Sequence, residues 1–261
     1  MFQMFNNIPA VTKNLLIVNI LFYFASIILS KGEVDLFNTL GAHYIGTPLF
    51  EPYQIITHFF MHAPDFFHIL FNMLMLVMFG SHLERIWGAK RFFTFYIASA
   101  IGAFALYNGI GVFQIMEMKS KLISFGYDLN VIENYAINNN SQGLIELIIN
   151  NSKSMFDAEV QKEIVFGYAE KIRVPMLGAS GAIFGIMAAF AYLFPNTELM
   201  LLFPPIPIKA KFLIGGYFAL EVFLSLKETA GDNIAHLAHV GGAIVGFILV
   251  FIWNRNKKTF Y

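Results

Sequence analysis

The sequence has no cysteine and few charged residues. Only 13% of its 261 residues are Asp, Glu, Lys or Arg, about half of the share that is usual in a soluble domain. Without cysteine, a disulfide framework, a thiolate zinc site and a cysteine nucleophile are all excluded. Because 17 Lys and Arg balance 17 Asp and Glu, no excess positive charge is available to neutralise phosphates, so nucleic-acid binding is not expected.

Hydrophobic residues dominate instead, and they occur in long runs. They make up 57% of the chain, with 30 Phe and 12 Met, which excludes a disordered protein. A membrane helix needs about 20 mostly apolar residues, and continuous rather than alternating runs favour helices over a β-barrel. We therefore predict an all-α polytopic membrane protein with six spans. They lie at about 14–29, 66–79, 92–113, 177–194, 212–226 and 234–253.

The placement of Lys and Arg in the short loops predicts the orientation. With the N-terminus inside, nine lie in inner loops and two in outer loops. Since positive residues accumulate on the cytoplasmic side, both termini are expected in the cytoplasm, and the composition suits a bacterial inner membrane. The inner residues are Lys13, Arg85, Lys90, Arg91, Lys209, Lys211, Arg255, Lys257 and Lys258, and the outer ones are Lys31 and Lys227.

The spans divide the chain into three parts. Residues 1–113 form the first half of the membrane core, spans one to three, with an outer segment at 30–65. Residues 174–261 form the second half, spans four to six, and a cytoplasmic tail. Between them, residues 114–173 carry eight acidic and six basic residues and apolar residues at helical spacing, which predicts a helical extracytoplasmic insert.

Polar side chains inside a span are costly, so each is a candidate functional residue. In Gly178-Ala179-Ser180-Gly181 the serine opens the fourth span, where its hydroxyl is exposed and backbone N–H groups lack helical partners. Such N–H groups can stabilise an oxyanion. A serine in a membrane helix more often bonds to a carbonyl one turn earlier or lets helices pack, so this motif alone is weak.

Glycine spacing connects this serine with a histidine. Gly181 and Gly185 on the fourth span, and Gly242 and Gly246 on the sixth, follow the small-xxx-small pattern that lets helices approach closely. His239 shares the face of the second pair. If the two stripes face each other, the serine hydroxyl and the imidazole come within hydrogen-bond reach.

Two further polar groups lie on the second span. His68 and Asn72 share one helix face and can both donate hydrogen bonds, although a polar pair joining two helices is the alternative. We interpret Glu84 with Arg85, at the inner end, as a structural turn with an ion pair.

Metal binding by histidines has less support. His58 and His62 would share a face only if their loop is helical, and no H-E-x-x-H motif occurs. Another interpretation of His236 and His239, which are three residues apart and share a helix face, is that they bind a metal ion together.

Together these motifs resemble those of the rhomboid intramembrane serine proteases, over about residues 14–113 and 175–253. The matching motifs are His68-xxx-Asn72, Gly80-xxx-Glu84, Gly178-Ala179-Ser180-Gly181 and Ala238-His239-Val240-Gly241-Gly242-xxx-Gly246. The resemblance implies a six-span rhomboid-like bundle that hydrolyses peptide bonds within the membrane by a Ser–His dyad. Ser180 would be the nucleophile and His239 the general base. His68, Asn72 and the Ser180 N–H would form the oxyanion hole.

The resemblance also implies transmembrane protein substrates, cut near the outer surface, and no metal or organic cofactor. Two positions depart from the family pattern: Phe184 stands where a tyrosine often stacks on the histidine, and Tyr53-Gln54 where a Trp-Arg pair is common. Glu221 and Asp232 are the nearest carboxylates for a third catalytic member, but a dyad is the simpler interpretation. The insert is absent from the minimal family core, and we expect it to shape substrate access or bind a partner.

Two other classes of function remain open. A non-catalytic relative would bind and hold membrane clients, but it would not need Ser180, His239, His68 and Asn72 together. A transporter or a haem or metal protein would use the paired histidines and would leave the glycine-flanked serine unexplained. The oligomeric state is not predicted.

Overall fold

The computed structural model describes residues 8–30, 32, 34–200, 205–227 and 236–255. Almost all regular structure in these ranges is helical, which confirms the all-α prediction. The helices are α1 (Ala10–Leu29), α2 (Leu36–Leu40), α3 (Gln54–Thr57), α4 (Phe66–Trp87), α5 (Ala89–Ser124), α6 (Leu129–Ile137), α7 (Ser141–Asn151), α8 (Met155–Arg173), α9 (Ser180–Leu193), α10 (Ala210–Ser225) and α11 (His236–Arg255).

Each of the six predicted spans coincides with one helix of the structure. By length and composition α1, α4, α5 and α11 could cross a membrane, and α9 is a shorter apolar helix. The sixth, α10, has 16 residues. Helix α1 begins at Ala10, before its predicted span, and α4 continues beyond its predicted span through a π-helical turn to Trp87. The start of the sixth predicted span, residues 234 and 235, lies outside the described residues.

The outward faces of these helices are apolar. On α1, for example, Leu21, Phe24 and Ile28 are 62%, 55% and 66% exposed. Large apolar side chains exposed in this way are stable in lipid but not in water. The fold is thus that of an integral membrane bundle.

Helix α9 lies at the centre of the bundle, packed against α5 and α11. Nine of its 14 residues are buried. Its sequence is apolar on all sides, with glycine and alanine interspersed, and such a helix is stable when neighbours surround it. This burial fixes the start of α9, where Ser180 lies.

Helix α5 is longer than its predicted span. Its 36 residues extend about 54 Å at 1.5 Å per residue, well beyond the about 30 Å of hydrocarbon in a bilayer. The helix continues past residue 113 to Ser124, so the first part of the predicted insert belongs to α5. Helices α6, α7 and α8 pack at its far end around a separate apolar core. The core includes Leu122, Ile132, Ile148, Val165 and Ile172.

A short antiparallel hairpin connects α9 and α10, formed by β1 (Glu198–Met200) and β2 (Pro207–Lys209). This hairpin was not predicted from the sequence. Residues 201–204 between the strands lie outside the described ranges.

In the outer segment at 30–65, the side-chain amide of Gln54 connects several stretches of backbone. Gln54, 1% exposed, makes four hydrogen bonds to backbone groups of the segment. Its Oε1 accepts from the N–H of His43 and Glu51, and its Nε2 donates to the carbonyls of Thr39 and Leu49. Ala42 pairs with Met176 in an isolated bridge, which connects the segment to the residues just before α9.

Glu84 has a structural role, because it contacts the start of α1. Its buried carboxylate accepts hydrogen bonds from the N–H of Val11 (2.9 Å), the N–H of Thr12 (2.7 Å) and the hydroxyl of Thr12 (2.8 Å). These N–H groups lie in the first turn of α1, where they lack helical partners and where a negative charge is favourable. Glu84 therefore caps α1 from the end of α4.

We expect Glu84→Gln to lower the free energy of unfolding by about 2–3 kcal/mol, because it removes charge-assisted hydrogen bonds to buried donors. Thermal melting in detergent measures the effect. The control is Glu117→Gln, which breaks an exposed ion pair with Lys121 (side chains 56% and 51% exposed) and should have little effect. Equal melting temperatures for the two variants would contradict the capping role.

Candidate functional site

Ser180 and His239 are in direct contact. Ser180 is the first residue of α9, and His239 lies in the first turn of α11. Their Oγ and Nε2 atoms are 2.8 Å apart, which is a normal hydrogen-bond length. The serine is half-buried and lines a groove.

The two glycine stripes bring these residues together, as their spacing predicts. A Cβ added to Gly242 would lie 1.9 Å from the carbonyl oxygen of Gly181, and one added to Gly246 would lie 2.5 Å from the Cα of Gly185. Real Cβ atoms are not found at such distances, so only glycine allows this approach of α9 and α11.

Phe184 covers one face of the histidine ring. The two rings are stacked, with centroids 4.4 Å apart and an interplanar angle of 9°. The stacking restricts rotation of the imidazole and holds its Nε2 toward Ser180. Phenylalanine thus occupies the stacking position that the family resemblance assigns to a tyrosine.

The other ring nitrogen of His239 contacts a carboxylate. Glu221, 3% exposed, extends from α10, and its Oε2 lies 2.8 Å from Nδ1 of His239 and 2.6 Å from Nδ1 of His236. From the sequence, Glu221 was only one of two nearby carboxylates, and a dyad was the simpler interpretation. The other, Asp232, lies outside the described residues. The available signal was a carboxylate within an otherwise apolar helix.

His68 and Asn72 line the same groove as Ser180. The space beside Gly178 shows how close His68 is, because a Cβ there would lie 3.4 Å from both His68 Nε2 and Ser180 Oγ. Asn72 is buried, and its Nδ2 donates to the carbonyl of His68 at 2.9 Å. The ring of His62, which the sequence did not connect with this site, is 5.3 Å from that of His68.

The turn before Ser180 has a backbone conformation that favours glycine. Gly178 has φ +126°, a region that other residues rarely adopt, and its N–H donates to the carbonyl of His58 at 3.0 Å. The ring of His58 is buried and bonds through Nδ1 to the carbonyl of Gln54 at 2.8 Å. These bonds fix the approach of the chain to α9.

His58 and His62, in the outer segment, are both buried. Burial lowers the pKa of His58 to about 4 and that of His62 to about 3, so both are neutral at neutral pH. In the described part of the chain, the ligand atoms that converge within 4.8 Å belong to Glu221, His236 and His239. Their separations of 2.6 and 2.8 Å are hydrogen-bond lengths, so we describe them as a hydrogen-bonded cluster.

A groove of about 1940 Å³ opens beside the Ser–His pair. One wall is formed by α4 and α10, and the groove continues to the insert, where α8 contributes mainly charged side chains. These are Glu159, Lys162, Glu163, Glu170, Lys171 and Arg173. The groove therefore connects the reactive pair within the bundle to a charged surface on the insert.

The fold and the site together define a helical membrane protein with a Ser–His pair at the start of two closely packed helices. The Rhomboid domain family matches residues 49–126 and 135–256, and the chain belongs to the rhomboid family. This confirms the resemblance drawn from the motifs, and family membership supports a protease-like function within the membrane.

Similar proteins are found among mitochondrial rhomboids. Rhomboid protein 1, mitochondrial, of Saccharomyces cerevisiae is 26% identical over 211 residues, 79% of this chain and 42% of that protein. RHOMBOID-like protein 12, mitochondrial, of Arabidopsis thaliana is 28% identical over 207 residues, 79% of this chain and 47% of that protein. The chain thus spans less than half the length of either relative. Their names do not favour the bacterial membrane that the composition had indicated.

We expect Gly242→Ala to lower the melting temperature, because its methyl group would overlap the carbonyl of Gly181 and separate α9 from α11. Overpacking of this kind costs about 1–3 kcal/mol. The control is Gly109→Ala on α5, where no atom lies within 4 Å of the added Cβ and better helix propensity is mildly stabilising. If both variants melt like the wild type, the close approach is wrong.

Proposed function

We propose that the chain is an intramembrane serine endopeptidase that cleaves transmembrane segments of other membrane proteins. The observation that supports this most is the 2.8 Å hydrogen bond between Ser180 Oγ and His239 Nε2. A serine hydroxyl is a weak nucleophile until a neighbouring base takes its proton, and a neutral imidazole within hydrogen-bond distance can do this.

In the proposed reaction Ser180 is the nucleophile and His239 the general base. The hydroxyl proton moves to Nε2 while Oγ bonds to the carbonyl carbon of the substrate, which gives a tetrahedral intermediate. The C–N bond then breaks, and His239 returns the proton to the leaving amine. Water, activated by the same imidazole, hydrolyses the acyl-enzyme and releases the acid.

The negative oxygen of the intermediate needs hydrogen-bond donors. We assign this role to the N–H of Ser180, at the start of α9, and to the side chains of His68 and Asn72, which line the same groove. The N–H groups in the first turn of a helix have no helical partners and carry part of the helix dipole. The proposed chemistry uses no metal or organic cofactor.

We assign the extracytoplasmic insert, residues 114–173, to substrate recognition. Its helix α8 lines the same groove as the catalytic pair and presents charges of both signs there. A substrate whose transmembrane segment lies beside Ser180 would extend its polar flanking residues toward this surface. The remaining residues, 1–113 and 174–261, form the two halves of the membrane core.

We further propose that both termini lie on the cytoplasmic side of a bacterial inner membrane. The nine inner Lys and Arg residues against two outer ones support this orientation. The names of the relatives stand against a bacterial compartment and make a mitochondrial membrane the alternative.

Reconstitution with a panel of single-span substrates tests the endopeptidase function. Wild type is expected to cleave at least one substrate, and Ser180→Ala and His239→Ala none. Asn72→Ala should retain activity reduced by about 10²–10³-fold, the usual loss for one oxyanion donor. A fluorophosphonate probe should label wild type but not His239→Ala. Binding of substrates without cleavage or labelling would instead indicate the non-catalytic client-binding protein.

Charge reversal on α8 tests the role of the insert. We expect Glu163→Lys to change KM for substrates with charged flanking residues while kcat stays nearly constant, because the side chain lines the part of the groove that the insert forms. Glu146→Lys, exposed on α7, is the matched control. Deletion of residues 126–164 should change KM for all substrates, whatever the charge of their flanking residues. Unchanged cleavage of every substrate by both insert variants would exclude a recognition role.

A further inference from the structure

A Ser–His pair works only if the histidine holds its proton on the correct nitrogen. A neutral imidazole has two tautomers, and only the one with hydrogen on Nδ1 leaves Nε2 free to accept the serine proton. In water both tautomers form. Some group next to Nδ1 must therefore select between them.

We propose that Glu221 is a positioning residue that selects this tautomer and stabilises the imidazolium formed during catalysis. The proposal rests on the proposed peptidase function. Glu221 Oε2 lies 2.8 Å from His239 Nδ1, and a carboxylate can only accept there, so the hydrogen must be on Nδ1. Ser180, His239 and Glu221 then form one hydrogen-bonded series rather than a dyad.

The surroundings keep the carboxylate in place. Glu221 is 3% exposed, and the same oxygen accepts a second hydrogen bond from His236 Nδ1 at 2.6 Å. Two donors on one oxygen fix its direction toward α11. Phe184 stacks on the face of the His239 ring, and both ring nitrogens are hydrogen-bonded. These three contacts hold the imidazole in one orientation.

The stabilisation is electrostatic. When His239 takes the serine proton it becomes a cation, and a negative charge 2.8 Å from Nδ1 lowers the energy of that state in a poorly solvated site. The carboxylate keeps its charge throughout and accepts no proton. Its contribution is therefore made to the transition state more than to substrate binding.

A purely structural role is the competing explanation, because Glu221 also connects α10 to α11. The two explanations differ in what Glu221→Gln does. The amide is the same size, but its NH₂ group can donate to Nδ1 and so favour the tautomer with hydrogen on Nε2, which cannot accept the serine proton. A structural role predicts lost stability, whereas a positioning role predicts lost kcat in a folded protein.

The test compares cleavage kinetics of the reconstituted full chain with its variants. We expect Glu221→Gln to lower kcat by up to about 10⁴-fold, the loss seen when the orienting carboxylate of a serine protease is replaced, with KM little changed. Glu221→Asp, which keeps the charge on a shorter side chain, should recover part of the loss.

The matched control is His236→Gln, which removes the His236 imidazole from Glu221 Oε2 and leaves His239 and Glu221 in contact. It should lower the melting temperature at least as much as Glu221→Gln but reduce kcat less than about tenfold. Glu221→Gln with kcat within about threefold of wild type, or no worse than His236→Gln, would overturn the proposal. If wild type and Ser180→Ala are equally inactive on every substrate, the peptidase function itself fails, and the two failures are thereby distinguished.

Discussion

The contact between α9 and α11 at backbone distance is the constraint on which the site depends. The hypothetical Cβ of Gly242 lies 1.9 Å from the carbonyl of Gly181, so no side chain separates the helices there. Lipid provides little hydrophobic driving force between membrane helices, and close packing of small residues replaces it. The Ser180–His239 hydrogen bond follows from this contact. Ser180 directly precedes Gly181 on α9, and His239 lies about one turn before Gly242 on α11.

Gln54, Glu84 and Glu221 show that burial alone does not separate structural from functional polar residues. Gln54 and Glu84 are bonded to backbone groups of neighbouring segments, and they hold the outer segment and the start of α1. Glu221 bonds with other side chains, the imidazoles of two histidines and Tyr217. One of these imidazoles, that of His239, bonds onward to a hydroxyl that lines an open groove. What distinguishes a functional polar residue here is its partner: another reactive side chain beside a cavity, not the backbone.

Sequence patterns predicted the helices and the Ser–His pair because both are encoded locally. Apolar runs define the spans. On α11, helix periodicity alone places His239 on the same face as Gly242 and Gly246. Glu221 was not assigned, because its relation to His239 depends on how α10 packs against α11, which no spacing within one helix specifies. The end of α5 was misplaced for a related reason: Leu122 is buried by residues of the insert, so tertiary contacts extend the helix beyond its apolar run.

The same close packing connects the catalytic pair with the insert. A Cβ on Gly181 would lie 2.4 Å from the Cβ of Ala103, and one on Gly241 2.7 Å from the carbonyl of Gly102, so α5 meets α9 and α11 at small residues as well. Helix α5 then continues without interruption to Ser124 and carries the core of the insert. A rigid helix rather than a flexible linker therefore sets the position of α8 along the groove, and the distance from the charged surface of the insert to Ser180 is fixed by helix geometry.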